Sequence, residues 1–245
     1  MDIKNKKLIG LLFVIFAPLI LILSVKSPSP QDLSYHNFAD GYSLLGIPNF
    51  HNVISNLPFI LFGLLGVIDY FKYRERYSFS WLIFYVGVIL VAPGSVYYHL
   101  EPNNNTLVWD RVPMTFGFMG VVSSIFVDVF KIKYEKLFLT GLLLLGVYTI
   151  IHWIQFDDLR LYGWLQAVSI IIMLYMAIVY KKSHLSMKHL IIAITFYGLA
   201  KLTETYDELI FESLSYSGHS LKHILAGLAV FTLIKMKRDY VHSKD

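Results

Sequence analysis

The chain has 245 residues, of which 56% are hydrophobic and 16% are charged, and its formal net charge is +4. A soluble domain averages about 25% charged residues, so this composition indicates an integral membrane protein, and the small net charge gives no reason to expect nucleic-acid binding. Cysteine is absent, which excludes disulfides, a thiolate nucleophile and a cysteine-ligated zinc site.

A helix that crosses a bilayer needs about 20 mainly apolar residues, and eight stretches of the chain meet this requirement. In chain order the predicted spans are about 8–25, 50–70, 80–100, 110–130, 137–154, 161–180, 189–208 and 219–236. The breaks between them are mostly short and polar. The sequence therefore predicts an all-α, polytopic membrane protein with eight spans.

The lysines and arginines predict the orientation of these spans. If the amino terminus is cytoplasmic, 16 of the 21 lie in five cytoplasmic segments. They are Lys4, Lys6, Lys7, Lys72, Arg74, Arg76, Lys131, Lys133, Lys136, Lys181, Lys182, Lys188, Lys235, Lys237, Arg238 and Lys244. Because cytoplasmic loops are rich in lysine and arginine, we expect both termini to be cytoplasmic. This alternation fits a bacterial inner membrane or another plasma membrane.

The first span requires a separate interpretation. Lysines followed by an apolar run resemble a secretory signal, but the exit from Ser24 to Pro30 lacks a clear small-x-small cleavage site. We therefore expect residues 1–30 to form an uncleaved anchor helix and residues 31–245 to form the functional domain.

Five polar residues in three mostly apolar stretches are candidates for a functional site. Ser95 and His99 end the third span, Asp110 begins the fourth, and His219 and His223 begin the eighth. Residues four positions apart share one face of a helix, which applies to Ser95 with His99 and to His219 with His223. The topology, which rests on lysines elsewhere, places all five near the non-cytoplasmic face. Such residues are costly near a bilayer and indicate function.

The three histidines suit a zinc ion. A catalytic zinc site has three protein ligands and a water, and two histidines at this spacing can bind one metal from a single helix face. His99 would supply the third ligand from another helix. Zinc lowers the pKa of its bound water to about 7. Asp110 would then serve as general base or hold a ligand, and Ser95 would stabilise a developing oxyanion.

Each of these residues also has an ordinary structural interpretation. The histidine pair can be hydrated at the interface, Ser95 can be a small helix-packing residue, and Asp110 can cap the fourth helix. Their occurrence together at one face of the membrane favours the metal site.

Four more polar residues near this face are candidates for a second layer around the histidines. Ser55 and Asn56, in the second span, either orient the ligand histidines or fix helix contacts. Glu204 and Asp207, at the end of the seventh span, either accept the second ring N–H of a zinc-bound histidine or pair with a nearby lysine.

These motifs resemble the signature of the alkaline ceramidase family, whose superfamily includes the progestin and adiponectin receptors and the Per1-type lipid-remodelling hydrolases. The similarity covers about residues 40–236 and rests on the order and spacing of the motifs. Besides Ser-x-x-x-His, the following Asp and the late His-x-x-x-His, it includes Asn49-Phe-His-Asn-Val-Ile-Ser-Asn-Leu-Pro58 and Ala200-Lys-Leu-Thr-Glu-Thr-Tyr-Asp207.

The resemblance implies a seven-helix core of spans two to eight, with zinc held by His99, His219 and His223. It also implies hydrolysis of the amide of ceramide or a similar N-acyl lipid from the bilayer, with Asp110 as proton-transfer residue and Ser95 as oxyanion stabiliser. Eukaryotic members bind calcium through an acidic segment before the first core helix. Residues 31–49 lack a tight carboxylate cluster, so we do not expect calcium.

Other functions stay open from the sequence. The same site suits a hydrolase of phospholipid or other acyl-lipid esters, and a receptor-like seven-helix protein would use zinc only as a structural ion. A transporter is disfavoured, because its binding site lies near the bilayer midplane, whereas the candidate residues here lie at one face. The sequence makes no prediction of oligomeric state.

Overall fold

A computed structural model describes residues 3–180 and 186–243, except the side chains of residues 3–5 and 187. In this part of the chain all regular secondary structure is helical, which confirms the all-α class. The helices are α1 (Ile3–Val25), α2 (Phe50–Ile54), α3 (Leu57–Lys72), α4 (Phe79–Leu100), α5 (Asn104–Phe130), α6 (Glu135–Phe156), α7 (Arg160–Val179), α8 (Met187–Thr205), α9 (Asp207–Leu214) and α10 (Gly218–His242). Two short 3-10 helices, Leu33–His36 and Arg74–Arg76, lie in the connections.

Six segments of the described chain are long and apolar enough to cross a membrane. They are Lys6–Val25, Phe50–Lys72, Phe79–Leu100, Asn104–Phe130, Glu135–Phe156 and Arg160–Val179. They correspond to the first six predicted spans, with α2 and α3 forming the second. The predicted seventh and eighth spans coincide with α8 and α10, which are less apolar because they carry charged residues along their length. The number of eight spans stays a prediction.

Ion pairs bring several lysine-rich segments together at one end of the bundle. Lys237 of α10 binds Asp128 of α5 at 2.8 Å, and Arg238 pairs with Asp69 at the end of α3. We call this the basic end. The other end, which carries the three histidines, is called the site end. Lys181, Lys182 and Lys244 lie outside the described residues.

Helix α1 packs along α7 at the edge of the bundle. The Trp164 indole donates a hydrogen bond to the Ile15 carbonyl at 3.1 Å, and the Tyr175 hydroxyl donates to the Lys7 carbonyl at 2.6 Å. The opposite face of α1 is exposed and apolar, with Phe13 and Ile20 more than half exposed. A face of this kind is suited to contact with lipid.

Helices α4 and α5 form the closest pair in the bundle because glycines let their backbones touch. A Cβ atom on Gly94 would overlap the carbonyl oxygen of Trp109, and one on Gly87 would lie 2.7 Å from the backbone nitrogen of Gly117. Small residues at such crossings are how membrane helices approach each other closely. At Gly94 this contact sets the distance between the last turns of α4 and the first turns of α5.

We therefore expect Gly94→Ala to destabilise the protein by about 1–3 kcal/mol, because the new methyl group has no space between α4 and α5. Gly141→Ala in α6 is the matched control, since no atom lies within 4 Å of its Cβ position; it should be neutral or stabilise the protein by about 0.5–1 kcal/mol. Thermal unfolding in detergent measures both. Equal stability of the two variants would contradict the close α4–α5 contact.

Candidate metal centre

His99, His219 and His223 lie together at the site end of the bundle. One ring nitrogen from each lies within 4.8 Å of the others, and the ring centroids are 4.9, 5.0 and 5.2 Å apart. All three residues are buried, with at most 3% of their surface exposed. Among the described residues, this is the group of three potential ligands placed closely enough to hold a metal ion.

The three rings reach this position from only two helices. His99 lies in the last turn of α4, and His219 and His223 lie in the first two turns of α10. The start of α10 is fixed by Ser217, whose hydroxyl oxygen accepts hydrogen bonds from the backbone N–H groups of His219 and Ser220. Such an N-cap satisfies backbone donors that have no partner within the helix.

Asp207 supports the same helix start. Its Oδ1 atom accepts hydrogen bonds from the Ser217 hydroxyl at 2.7 Å and from the His219 backbone N–H at 3.0 Å. Its Oδ2 atom accepts from the Ala39 backbone N–H at 3.0 Å. Asp207 therefore holds the backbone of a candidate ligand rather than its ring. The sequence predicted either a bond to the ring N–H of a histidine or a pair with a lysine, and neither describes this contact.

Ser55 makes direct contact with a histidine ring. Its hydroxyl donates to the Asn52 carbonyl at 3.1 Å and lies 2.8 Å from Nδ1 of His223. The donor in the second contact depends on the tautomer of His223: with the hydroxyl proton directed to Asn52, Nδ1 of His223 is the donor. That tautomer leaves Nε2 with a free lone pair, which is the arrangement a metal-binding histidine requires.

His99 provides the test of whether a metal ion fits. It is fully buried, and neither Nδ1 nor Nε2 has a hydrogen-bond partner in the described structure. A buried polar atom without a partner is costly, and a metal ion bound by His99 together with His219 and His223 would remove this cost for one nitrogen. Three imidazoles without sulfur ligands are a donor set that zinc accepts, so the residues fit the ion.

Asp110 and Ser95 lie beside this centre. Asp110 is in the second turn of α5 and is 7% exposed. The interpretation of Asp110 as a helix cap is wrong, because Asn103 caps α5 in a capping box with Thr106. Ser95 is fully buried next to Asp110, and its hydroxyl interacts with that carboxylate although it meets no partner at strict hydrogen-bond geometry. The structure thus excludes the capping role for Asp110, whereas the full burial of Ser95 fits both a helix-packing role and a role beside Asp110.

Glu204 forms ion pairs with two lysines, as one of the two sequence interpretations predicts. Its carboxylate accepts from Lys222 at 2.5 Å, from Lys201 at 2.9 Å and from the Tyr35 hydroxyl at 2.8 Å. The Lys222 ammonium also lies 3.4 Å from Nε2 of His219. Glu204 is thus connected to the histidines through Lys222.

Asn56 does not contact the histidines through any described hydrogen bond. Its side-chain amide donates to the Asn52 and Val53 carbonyls in its own helical turn. Asn52 holds the centre instead: its Oδ1 atom accepts from the Ser220 hydroxyl at 2.7 Å and shares the Ser217 hydroxyl proton with Asp207. Sequence analysis missed Asn52, although it lies within the motif that begins the second span.

Residues 26–49 cover the centre from the site end. The Phe38 ring lies 4.7 Å from the ring of His99 and 4.6 Å from that of His219, between centroids. The Asn49 side chain donates to the His99 carbonyl at 2.8 Å. Sequence analysis also missed Phe38, because a loop contact leaves no periodic pattern in the sequence.

The base of this cover is tied to the α6–α7 connection. Asp158 accepts hydrogen bonds from the Arg160 side chain and from the Ser29 backbone N–H. These bonds, those from Arg160 most of all, lower the pKa of Asp158 to about 2.

The acidic residues in the segment where related proteins bind calcium are Asp32 and Asp40. They accept hydrogen bonds from the backbone N–H groups of Ser34 and Asn52, respectively.

An apolar cavity, partly open to the outside, extends from the centre into the bundle. Asp110, Lys222 and His223 line it, together with Lys201. Further along it is lined by apolar side chains such as Leu233. The ten residues from His223 to Leu233 correspond to about 15 Å along a helix. The cavity is therefore elongated, and its charged groups are confined to residues of the site end.

A sequence model of the ceramidase family matches residues 44–244. The chain belongs to the ceramidase family. This confirms the resemblance inferred from the motifs, and together with the long apolar helices it identifies an integral membrane protein of a hydrolase family. The match begins after α1 and includes all three histidines. No individual curated protein matched the sequence.

We expect Ser55→Ala to weaken metal binding about 10–100-fold, because His223 loses the hydrogen bond that fixes its ring and tautomer. Ser213→Ala is the matched control, since the Ser213 hydroxyl bonds only within α9 on an exposed surface. Competition with a chelator of known zinc affinity measures the change in the purified protein. Unchanged affinity in Ser55→Ala would show that this hydrogen bond does not support a ligand.

Proposed function

We propose that the protein is a zinc-dependent membrane hydrolase. Its substrate would be ceramide or a similar N-acyl lipid, and cleavage of the amide would give a fatty acid and a sphingoid or other amine. The observation that supports this most strongly is the buried, unpartnered His99 beside His219 and His223 at the head of an apolar cavity. Membership of the ceramidase family supports the same reaction.

In this proposal His99, His219 and His223 hold the zinc ion, and Ser55 fixes the ring of His223. Bound zinc supplies two things: it polarises the acyl carbonyl and it lowers the pKa of a water molecule. Phe38 and the rest of the cover limit access of bulk water, which strengthens electrostatic interactions inside the site.

Asp110 is the proposed proton-transfer residue. Its buried carboxylate shares the wall of the cavity with His223, where it accepts a proton from the attacking water and delivers it to the leaving amine. Ser95 lies next to Asp110, and in this proposal its hydroxyl donates a hydrogen bond to the oxygen that becomes negative as water adds to the carbonyl. Glu204 and Asp207 support Lys222 and the start of α10.

The apolar cavity is the proposed site for the acyl chain. Its length of about 15 Å along α10 and its apolar walls suit a hydrocarbon chain with the amide at the end near Asp110 and His223. The substrate would come from the bilayer, so the partners of this protein are the membrane and its lipids.

We further propose an orientation for the bundle. The basic end would face the cytoplasm, because lysine-rich segments collect there, and the site would face the non-cytoplasmic side of a bacterial inner or plasma membrane. Residues 1–30 would form an added anchor, and residues 31–245 would form the seven-helix hydrolase domain.

Loss of a ligand histidine should remove both metal and activity. We expect His99→Ala and His219→Ala to copurify without zinc and to lack measurable hydrolysis, because two histidines do not complete the site. His152→Ala is the matched control, since this histidine lies in α6 and bonds weakly to the Asp158 carbonyl at 3.4 Å. Zinc content and turnover of ceramide are measured on the same samples. Retained hydrolysis in a folded, metal-free variant would disprove the zinc mechanism.

Asp110 and Ser95 separate an enzyme from a protein with a structural metal. Asp110→Asn should lower the rate about 10²–10⁴-fold and Ser95→Ala about 10²–10³-fold, and both should keep stoichiometric zinc. The assay uses a panel of ceramides, other N-acyl amines and phospholipids, with and without a chelator. Faster cleavage of the esters would assign an ester hydrolase, and no chelator-sensitive cleavage of any lipid would contradict the enzymatic proposal.

A further inference from the structure

A pair of lysines lies at the head of the apolar cavity and has no role in the reaction described above. Lys222 follows His219 by one helical turn, and its side chain is 12% exposed. Lys201, from α8, is 43% exposed in its side chain. Both line the same cavity as Asp110. A lysine is rarely buried without a partner, so the bonds of Lys222 need to be accounted for.

The two lysines share a single carboxylate. Glu204 accepts from Lys222 through Oε1 and from Lys201 through Oε2, and Oε1 also accepts from Tyr35. Both oxygens of Glu204 are therefore engaged. An ammonium group has three donors, and the described contacts of Lys222 are one short bond to Glu204 and one 3.4 Å contact with His219.

Among the described residues, no carboxylate besides Glu204 forms a hydrogen bond with Lys222 or Lys201. Asp110 lines the same cavity, but it forms no described hydrogen bond with either lysine. Arg111 lies elsewhere: its guanidinium binds Gln31 at 2.7 Å and stacks over Trp153 with 4.4 Å to the ring centroid. The charges of the two lysines are matched by those of Glu204 and Asp110. Lys222 nevertheless keeps ammonium donors without a close partner among the described residues, and such donors bind an anionic oxygen more strongly than a neutral one.

The shape of the cavity defines the class of anion. Its apolar walls suit a hydrocarbon chain, and its charged end suits a small anionic head group. Hydrolysis of a neutral amide by one water molecule breaks the C–N bond and gives a carboxylate and a protonated amine. The acyl oxygen is negative only transiently while water adds to the carbonyl, so a lasting negative charge appears on the acyl group only when the product forms.

We propose that Lys222, with Lys201 beside it, is the carboxylate-binding group of the acyl cavity and holds the fatty acid after cleavage. The proposal rests on the proposed function for its source of fatty acid, but the binding itself requires no turnover. Lys222 would donate to the carboxylate while its bond to Glu204 keeps the ammonium in place. Glu204 is then a positioning residue. Its negative charge next to the Lys222 ammonium also weakens the attraction between Lys222 and the fatty-acid carboxylate.

The experiment compares binding of palmitate and hexadecan-1-ol to zinc-loaded protein in nanodiscs of zwitterionic lipid. The two ligands have the same chain and differ in head-group charge. We expect palmitate to bind at least about tenfold more tightly, as for a charge-assisted hydrogen bond. Lys222→Met should abolish this preference and leave hexadecan-1-ol binding unchanged, whereas Lys222→Arg should keep it. Lys133→Met, on an exposed lysine over the Tyr134 ring, should behave as the wild type.

Glu204→Gln should change the preference for palmitate in the direction opposite to Lys222→Met. Glutamine keeps an oxygen acceptor for Lys222 but removes the competing charge, so the preference for palmitate should increase. Equal binding of the two ligands by the wild type, or a preference that survives in Lys222→Met, would overturn the proposal. Lack of amide hydrolysis with a Lys222-dependent preference for palmitate would contradict the proposed function alone.

Discussion

The structure depends on the burial of three imidazole rings at one end of a membrane bundle. His99 is fully buried without a hydrogen-bond partner for either ring nitrogen, and it lies against His219 and His223. Burial of ring nitrogens without a partner costs free energy, so it persists where another interaction offsets that cost. A metal ion bound jointly by the three histidines would offset it. The ring contacts between the histidines of α4 and α10, the cover of residues 26–49 and the head of the cavity all meet at this point.

Two kinds of contact hold these rings where no bulk water can satisfy them. The backbone carbonyl and side-chain amide of Asn52 and the hydroxyls of Ser55 and Ser217 form one connected polar network around the start of α10. Gly94 lets α4 and α5 approach closely. The cavity then separates two tasks. Its apolar walls suit a lipid chain, while charge and hydrogen bonding are confined to the head. This separation suits a hydrolase whose substrate is mostly hydrocarbon.

Sequence analysis predicted those features that depend on local patterns. Apolar runs predicted the long helices, since length and composition decide whether a helix can cross a bilayer, and the four-residue spacing brought His219 and His223 to one face. The roles of Asp207 and Phe38 were not predictable, because they depend on how the connections fold back over α10. The correct cap of α5 was available in the sequence, since Asn103 and Thr106 have the spacing of a capping box.

The central claim is that His99, His219 and His223 bind one zinc ion in the folded protein. X-ray absorption at the zinc edge of the purified protein tests it most directly. The account predicts one zinc per chain with three imidazole nitrogens and one oxygen at about 2.0–2.2 Å, and loss of that spectrum in His223→Ala. A protein that is folded and active in lipid hydrolysis without bound metal, or zinc whose ligation is unchanged in His223→Ala, would contradict it.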